Sequence, residues 1–244
     1  MKIVALIPAR YAATRYPAKL MQLLGNKSVI RHTYDNTVET QLFDEVCVVT
    51  DSSAIHNEIV AHGGNAMMSK KNHESGSDRI AEAAEQLDAD IIVNVQGDEP
   101  FVQKEPLQKL LNVFTDPQVQ VASLMQVLQD EKLIADPNYV KVVVDKNNNA
   151  LFFSRSVIPY RRDTATTPVY YEHIGVYAFK KQLLLNFTNW PITPLEAAEK
   201  IECLRYLENG VPIKMVVTEY MGVEIDTPDD LEKAGKLLQE KKDN

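Results

Sequence analysis

Short apolar segments alternate with segments of helical periodicity along the first half of the chain. Short runs rich in apolar residues predict strands over residues 3–7, 45–50, 66–68 and 90–95. Between them, the pattern predicts helices over residues 29–40, 54–62 and 78–87, the first capped by Ser28 and the second by Ser52 or Ser53. Strands and helices that alternate at this spacing are typical of βαβ units. We therefore expect an α/β fold with a mostly parallel sheet.

The second half of the chain has more strand pattern. After a helix predicted over residues 105–114, strands are predicted over residues 119–128, 140–145, 150–153 and 172–179. A long helix is predicted over residues 194–208, and strands over 213–218 and 222–225 precede a last helix that begins at Thr227. No repeat or long linker interrupts the chain. We expect one domain over residues 1–244, with a core of about 1–118 and 194–244 and a β-rich insertion of about 119–193.

Composition narrows the possible partners. The 244 residues carry a formal net charge of −8, which argues against binding to nucleic acid or to an anionic membrane. The two cysteines, Cys47 and Cys203, do not form a disulfide framework. The first apolar run is too short for a signal peptide, and no run approaches the roughly 20 apolar residues of a membrane span. We expect a cytoplasmic protein without membrane insertion.

The loop after the first predicted strand is cationic in an acidic protein. Over residues 8–19 it carries Arg10, Arg15 and Lys19, and no acidic residue precedes Asp35. Ligands of open α/β sheets bind beyond the carboxyl ends of the strands, where this loop is expected to lie. Arginine and lysine side chains bind phosphate oxygens, so the loop is a candidate receptor for a polyanion. The alternative is a solvated basic loop.

Two aspartates follow later predicted strands. Asp98 comes after residues 90–95, and Asp226 comes after residues 222–225. Two carboxylates near a triphosphate suit Mg²⁺, which takes few protein oxygens and completes its shell with water and phosphate. Each aspartate has a structural alternative, since Asp98 can be a turn residue and Asp226 can help to cap the last helix. Together with the cationic loop they favour metal-assisted phosphoryl or nucleotidyl transfer.

Other phosphate motifs are weak. The segment 25–28 has the appearance of the end of a P-loop but lacks its Gly-Lys pair, and no glycine-rich fingerprint follows the first strand. A nicotinamide or flavin dinucleotide is therefore not expected.

Several segments of the chain match a known family. The matching segments, in chain order, are Pro8-Ala-Arg-Tyr-Ala-Ala-Thr-Arg-Tyr-Pro-Ala-Lys19, Ser75-Gly-Ser-Asp-Arg79, Val93-Asn-Val-Gln-Gly-Asp-Glu-Pro100, Phe153-Ser-Arg155, Ile158-Pro159, His173-Ile-Gly-Val-Tyr177 and Asp226-Thr-Pro228. The sequence closely resembles the 3-deoxy-manno-octulosonate (Kdo) cytidylyltransferases, also called CMP-Kdo synthetases. The resemblance covers nearly the whole chain.

The resemblance implies a Rossmann-like, three-layer nucleotidyltransferase fold whose β-rich insertion forms a homodimer. It implies the reaction of CTP with Kdo to give CMP-Kdo and diphosphate for lipopolysaccharide biosynthesis, with Mg²⁺ as cofactor.

Site residues follow by matching positions. The nucleotide-binding residues would be Pro8, Ala9, Arg10, Arg15, Lys19, Ser75, Gly76, Arg79 and Asp98. The sugar acid would be bound by Gln96, Arg155, His173, Tyr177 and Glu202. Asp98 and Asp226 would hold the metal, and together with Arg10 and Lys19 they would form the catalytic group.

The chain departs from the family pattern in three places. Ala18 and Leu20 flank Lys19 where glycine and proline are usual, which reduces the backbone freedom of the loop. Ser77 replaces the usual threonine. Cys203 stands where glutamine commonly follows the sugar-site glutamate, so the sugar could be Kdo or an analogue such as its 8-amino form.

Three alternatives stay open at this stage. One is a cytidylyltransferase for another keto-sugar acid, such as a sialic acid. The second is a nucleotide-sugar glycosyltransferase, and the third is a non-enzymatic nucleotide-binding module. His173, Tyr177 and Glu202 could each have a packing or surface role instead.

Overall fold

The computed structural model describes residues 1–12, 16–71, 73, 75–219 and 223–243. The predicted nucleotide-binding residue Arg15 lies outside them. In the described residues the strands are β1 (Ile3–Ala9), β2 (Leu23–Leu24), β3 (Lys27–Ser28), β4 (Glu45–Thr50), β5 (Ala66–Met68), β6 (Ile91–Asn94), β7 (Val121–Leu128), β8 (Lys141–Val144), β9 (Ala150–Ser154), β10 (Tyr170–Lys180) and β11 (Lys214–Val217). The α-helices are α1 (Val29–Glu39), α2 (Ser53–Ala61), α3 (Gly76–Glu85), α4 (Lys104–Asn112), α5 (Glu131–Ala135), α6 (Lys181–Phe187), α7 (Pro194–Glu199), α8 (Leu204–Glu208) and α9 (Pro228–Asp243), with short 3₁₀ helices at Lys19–Met21 and Val113–Thr115.

The chain forms two compact units. The first comprises Met1–Leu107 and Met221–Asn244, and the second comprises Gln108–Tyr220. These bounds differ from the predicted division, because residues 194–220 belong with the β-rich part and not with the core.

The first unit contains a parallel sheet in the order β6-β1-β4-β5. Its central strand β1 is almost wholly apolar, and Leu6 and Ile7 are fully buried. Serine side chains begin the flanking helices as predicted, since Ser28 accepts from the Arg31 amide and Ser52 from the Ile55 amide. The predicted βαβ alternation and the mostly parallel sheet are confirmed here.

The second unit contains a mixed sheet. β11 and β7 are parallel, whereas β7 with β10, β10 with β8, and β8 with β9 are antiparallel. The register of β10 against β7 shifts between Ile174 and Tyr177, which leaves the intervening residues outside the ladder. The predicted β-rich character of this region is confirmed.

The predicted long helix over residues 194–208 is wrong. It is two helices, α7 and α8, because Lys200 takes a left-handed conformation with φ of 55° and ends α7. Tertiary bonds hold this break: Arg155 Nε donates to the Glu199 carbonyl oxygen at 2.8 Å, and the Glu199 carboxylate accepts from the Ser154 hydroxyl. The predicted strand over 222–225 is also absent from its described residues.

None of the helices in the described part of the chain is both long and apolar enough to cross a membrane.

Candidate active site

Three loops of the first unit surround a cavity of about 190 Å³. They follow β1, precede and begin α3, and follow β6. Its lining residues are Pro8, Ala9, Arg10, Lys19, Leu20, His73, Ser75, Gly76, Arg79, Gln96, Gly97 and Asp98. The structure therefore brings together all the predicted nucleotide-binding residues that it describes, and it places the predicted sugar ligand Gln96 with them. Parallel strands explain this convergence, since β1 and β6 end at the same edge of the sheet.

Glycines allow these loops to approach each other. A β-carbon on Gly97 would lie 2.9 Å from the Pro8 carbonyl oxygen and 3.2 Å from Ile30 Cδ1. A β-carbon on Gly76 would lie 3.3 Å from Pro8 Cγ. The segment before α9 is fixed to the same place, because the Ile225 amide donates to the Asp98 carbonyl oxygen at 3.0 Å. This bond brings Asp226 beside Asp98.

Lys19 connects the two predicted metal ligands. Its Nζ donates to Asp98 Oδ2 at 2.5 Å and to Asp226 Oδ1 at 2.6 Å, and all three side chains are mostly buried. Burial by itself lowers the pKa of Lys19, but the charges and hydrogen bonds of Asp98 and Asp226 outweigh it, so the pKa is raised. Lys19 is therefore a firmly held ammonium group between two carboxylates.

A third carboxylate joins this cluster. Oxygen atoms of Asp98, Glu224 and Asp226 lie within 4.8 Å of one another. The sequence reasoning missed Glu224, and its position two residues before Asp226 was the only available signal. Carboxylate oxygens are the ligands that Mg²⁺ prefers, and the ammonium between two of them shows that the cluster accommodates a cation. The donor set therefore fits a divalent metal ion.

The backbone that presents Lys19 is unusual. Ala18 takes a left-handed conformation with φ of 52°, directly before the 3₁₀ helix Lys19–Met21. The chain has alanine where its resemblance to the family leads one to expect glycine. A residue with a side chain costs about 1–2 kcal/mol in the left-handed conformation. The loop therefore stores strain next to Lys19, which bridges the two carboxylates.

Arg79 lines the cavity, and its guanidinium is hydrogen-bonded to residues outside the cavity lining. Its guanidinium donates to Asp51 Oδ2 at 2.8 Å and to Ser69 Oγ at 2.6 Å, and the residue is only 4% exposed. These contacts tie α3 to the ends of β4 and β5. The guanidinium thus acts in part as a structural anchor for the cavity wall.

The loop before α3 has two further anchors. The Ser75 hydroxyl caps the helix by accepting from the Asp78 amide. His73, which sequence reasoning missed, has its Nε2 at 2.5 Å from Glu82 Oε2, and Glu82 also accepts from the Lys70 amide. His73 is thereby fixed at the cavity wall.

The remaining predicted sugar residues belong to the second unit. The rings of His173 and Tyr177 lie 5.3 Å apart on β10, and Phe153 meets His173 edge to face. His173 Nε2 lies 3.0 Å from the Ser123 hydroxyl. Burial lowers the pKa of His173 to about 4, so the imidazole is neutral near pH 7. The predicted sharing of one strand face by His173 and Tyr177 is confirmed.

Tyr177 also contacts the residue that departs from the family pattern. Cys203 is buried, and burial raises its pKa although the Tyr177 side chain is hydrogen-bonded to it. Burial likewise raises the pKa of Tyr177 well above its ordinary value, and the nearby side chains of Cys203 and Glu202 add to this. Tyr177, Glu202 and Cys203 thus lie close together.

Arg155 is extensively bonded within the second unit. Its guanidinium donates to the carbonyl oxygens of Glu199, Pro137 and Lys200. Arg205, which the sequence placed one turn from Glu202, donates from Nε and Nη2 to the buried carboxylate of Glu196. Both arginines stabilise the break between α7 and α8.

Comparison with known proteins places the chain in a class. The cytidylyltransferase family model matches residues 4–216, so the chain belongs to the cytidylyltransferase family. The relatives are more specific. The chain is 58% identical over 243 residues to the 3-deoxy-manno-octulosonate cytidylyltransferase of Flavobacterium johnsoniae, covering 98% of this chain and 100% of the relative. It is also 58% identical over 240 residues to the enzyme of that name from Christiangramia forsetii, covering 97% of each chain.

Solved structures agree with this placement. The structure of a CMP:2-keto-3-deoxy-manno-octonic acid synthetase complexed with CTP superposes with a TM-score of 0.94 at 37% identity, over 99% of this chain and 100% of the other. A 4-diphosphocytidyl-2C-methyl-D-erythritol synthase from Anaerococcus prevotii shares the fold alone, with a TM-score of 0.65 at 18% identity over 98% of this chain and 99% of the other. The predicted α/β fold and the predicted resemblance to the Kdo cytidylyltransferases are confirmed.

Proposed function

We propose that the protein transfers CMP from CTP to Kdo and releases diphosphate, as a step in lipopolysaccharide biosynthesis. The observation that carries the proposal is the cavity that Arg10, Lys19 and Asp98 line together, where the Lys19 ammonium is bound to both Asp98 and Asp226. Cations beside a carboxylate cluster suit a triphosphate that carries a metal ion. The names of the relatives and the CTP bound to the neighbouring structure support CTP as the nucleotide.

The cavity residues have distinct tasks in this proposal. Arg10, which is exposed at the cavity, and Lys19 neutralise triphosphate oxygens. The close-packed backbone at Pro8, Ala9 and Gly76 forms the wall for the nucleoside. Arg15 belongs to the same predicted set but lies outside the described residues.

We propose Mg²⁺ as the cofactor, held by Asp98 and Asp226. When bound, the ion would offset the charge of the phosphates and favour departure of diphosphate. In the reaction, the 2-hydroxyl oxygen of Kdo forms a bond to the α-phosphorus of CTP. The bond from that phosphorus to the bridging oxygen breaks, and the hydroxyl gives up its proton. Arg10 and Lys19 reduce the repulsion between the sugar carboxylate and the phosphates.

From the family resemblance, the proposed sugar-binding residues are Gln96, Arg155, His173, Tyr177 and Glu202. The neutral imidazole of His173 and the hydroxyl of Tyr177 are suited to hydrogen-bond sugar hydroxyls. Because Tyr177 contacts Cys203, an altered sugar such as the 8-amino analogue is the principal alternative substrate.

We further propose a homodimer formed through the second unit. Leu151 is 61% exposed, Tyr160 85% and Val169 54%, and such exposed apolar side chains are suited to bury against a second copy. Sedimentation velocity of the protein and of Leu151→Asp and Tyr160→Asp checks this: the proposal requires a dimer that the substitutions weaken.

Since CTP is a nucleotide of the cytoplasm, we assign the reaction to that compartment.

The test of function is diphosphate release with Mg²⁺ and CTP across a panel of sugar acids that includes Kdo, 8-amino-Kdo and a sialic acid. We expect release with CTP and Kdo, and little with UTP or ATP. Release with no acid in the panel, or only with another nucleotide, would exclude the proposal. Release with 8-amino-Kdo or a sialic acid in place of Kdo would retain a cytidylyltransferase and change its sugar.

A further inference from the structure

Lys19 joins three separate parts of the first unit. It lies in the 3₁₀ helix after β1, Asp98 follows β6, and Asp226 precedes α9. The two ion pairs are short, at 2.5 Å to Asp98 and 2.6 Å to Asp226, and 79 and 207 residues of sequence separate the partners. One ammonium group therefore holds the acidic side of the cavity together.

Charge explains why a cation must be present there. Asp98, Glu224 and Asp226 bring carboxylate oxygens within 4.8 Å of one another. Like charges at this separation repel, and the repulsion is stronger between the half-buried Asp98 and Asp226 than with the exposed Glu224. The ammonium of Lys19 lies against Asp98 and Asp226 and offsets this repulsion.

A divalent ion bound by Asp98 and Asp226 would compete with this ammonium for their carboxylates. Mg²⁺ binds carboxylate oxygens at about 2.1 Å, and Asp98 Oδ2 and Asp226 Oδ1 are the atoms that Lys19 already contacts. Two adjacent cations repel, so a divalent ion on these carboxylates would weaken the contacts of the ammonium. Lys19 also lines the cavity, which gives its ammonium an alternative position toward a bound anion.

We propose that Lys19 is the resident counter-cation of the metal site and that it exchanges with the divalent ion. In the structure Lys19 holds Asp98 and Asp226 in place. When the metal ion is bound, Lys19 leaves these carboxylates and becomes available to the triphosphate. This inference rests on the proposed metal site and goes beyond it, because it makes the metal ion and CTP bind with positive coupling.

The direct test observes the Lys19 ammonium by ¹H–¹⁵N NMR in the wild-type protein. An ammonium held by two carboxylates should give a slowly exchanging signal in EDTA, assigned by its loss in Lys19→Arg. We expect Mg²⁺ without nucleotide to abolish or strongly shift this signal. Lys27, whose Nζ donates to Asp35 Oδ2 at 2.8 Å, is the internal control and should not respond. A Lys19 signal that persists unchanged at saturating Mg²⁺ would overturn the exchange.

A second test measures the affinity for Mn²⁺ by electron paramagnetic resonance without nucleotide. Removal of the competing ammonium in Lys19→Met should tighten Mn²⁺ binding at least ten-fold, whereas Lys27→Met should leave it unchanged. Equal or weaker binding in Lys19→Met would contradict the inference.

The metal site and the exchange of Lys19 can be disproved separately. If the wild-type protein binds no Mn²⁺ even with CTP, or if Asp98→Asn binds it as well as wild type, the metal site itself is wrong and the exchange falls with it. If binding of Mn²⁺ requires Asp98 but Mg²⁺ does not change the NMR signal of Lys19, the exchange alone is wrong.

Discussion

Gly97 and Pro8 approach so closely that a β-carbon on Gly97 would lie 2.9 Å from the Pro8 carbonyl oxygen. This contact joins the loop after β6 to the end of β1, and both loops line the cavity. The packing of this cavity wall therefore depends on the absence of one side chain.

We predict that Gly97→Ala displaces this wall. The added methyl group has no space beside the Pro8 carbonyl oxygen, so the free energy of unfolding should fall by about 1–3 kcal/mol. The KM for CTP should also rise, because the displaced loops line the cavity. Gly235→Ala is the matched control, because nothing lies within 4 Å of its added β-carbon, and in the α9 helix it should stabilise by about 0.5–1 kcal/mol. Urea unfolding and steady-state kinetics check both variants. Equal behaviour of the two would show that the Gly97 contact is unimportant.

We predict that Asp98→Asn and Asp226→Asn each reduce kcat at least about 100-fold, a usual loss for a group that acts on charge in the transition state. Each change removes a negative charge from the proposed metal site. Asp88→Asn is the control, because the Asp88 side chain is 97% exposed and pairs only loosely with Lys2 at 3.8 Å. Diphosphate release at saturating Mg²⁺ measures the effect. Near-normal turnover in either active-site variant would remove the metal role assigned to that residue.

We predict that Ala18→Gly does not destabilise the protein. Glycine relieves the cost of a side chain at φ of 52°, and this gain offsets the greater freedom of glycine in the unfolded chain. The net change should lie between zero and about 1 kcal/mol of added stability. Ala81→Gly, in the buried face of α3, should instead cost at least about 1 kcal/mol. A loss in Ala18→Gly as large as that in Ala81→Gly would show that Ala18 is not strained.

We predict that His173 makes stability dependent on pH. The pKa of His173 is about 4 in the folded protein and about 6.5 in the unfolded chain, so between these values the unfolded chain binds more protons. The free energy of unfolding should therefore fall as pH falls from about 6.5 to about 4, by up to about 3 kcal/mol at 1.36 kcal/mol per pKa unit.

His173→Gln removes this titration and should flatten the dependence. Urea unfolding at pH 7, 6 and 5 measures the slope for the variant and the wild type. Gln182→Asn, an uncharged change on the exposed face of α6, should keep the wild-type slope. An unchanged slope in His173→Gln would assign the pH dependence to other groups.

Local pattern was sufficient for most secondary structure. Apolar runs placed the strands of the first unit, and capping residues such as Ser28 and Thr227 placed the beginnings of helices, because these signals act over a few neighbouring residues. The pattern failed at residues 194–208. The break at Lys200 is held by Arg155 from 45 residues earlier, and no local signal carries that contact.

The sequence by itself determined which chemistry the protein carries: the cations of the first loop, the aspartates after two predicted strands, and the motifs of the cytidylyltransferase family. Only the tertiary structure decided how these groups are paired. It placed Lys19 between Asp98 and Asp226 and brought Glu224 into the same cluster. It also paired Arg79 with Asp51. The physical reason is that residue types and their local spacing are properties of the sequence, whereas an ion pair depends on distances in space that the packing of the loops creates.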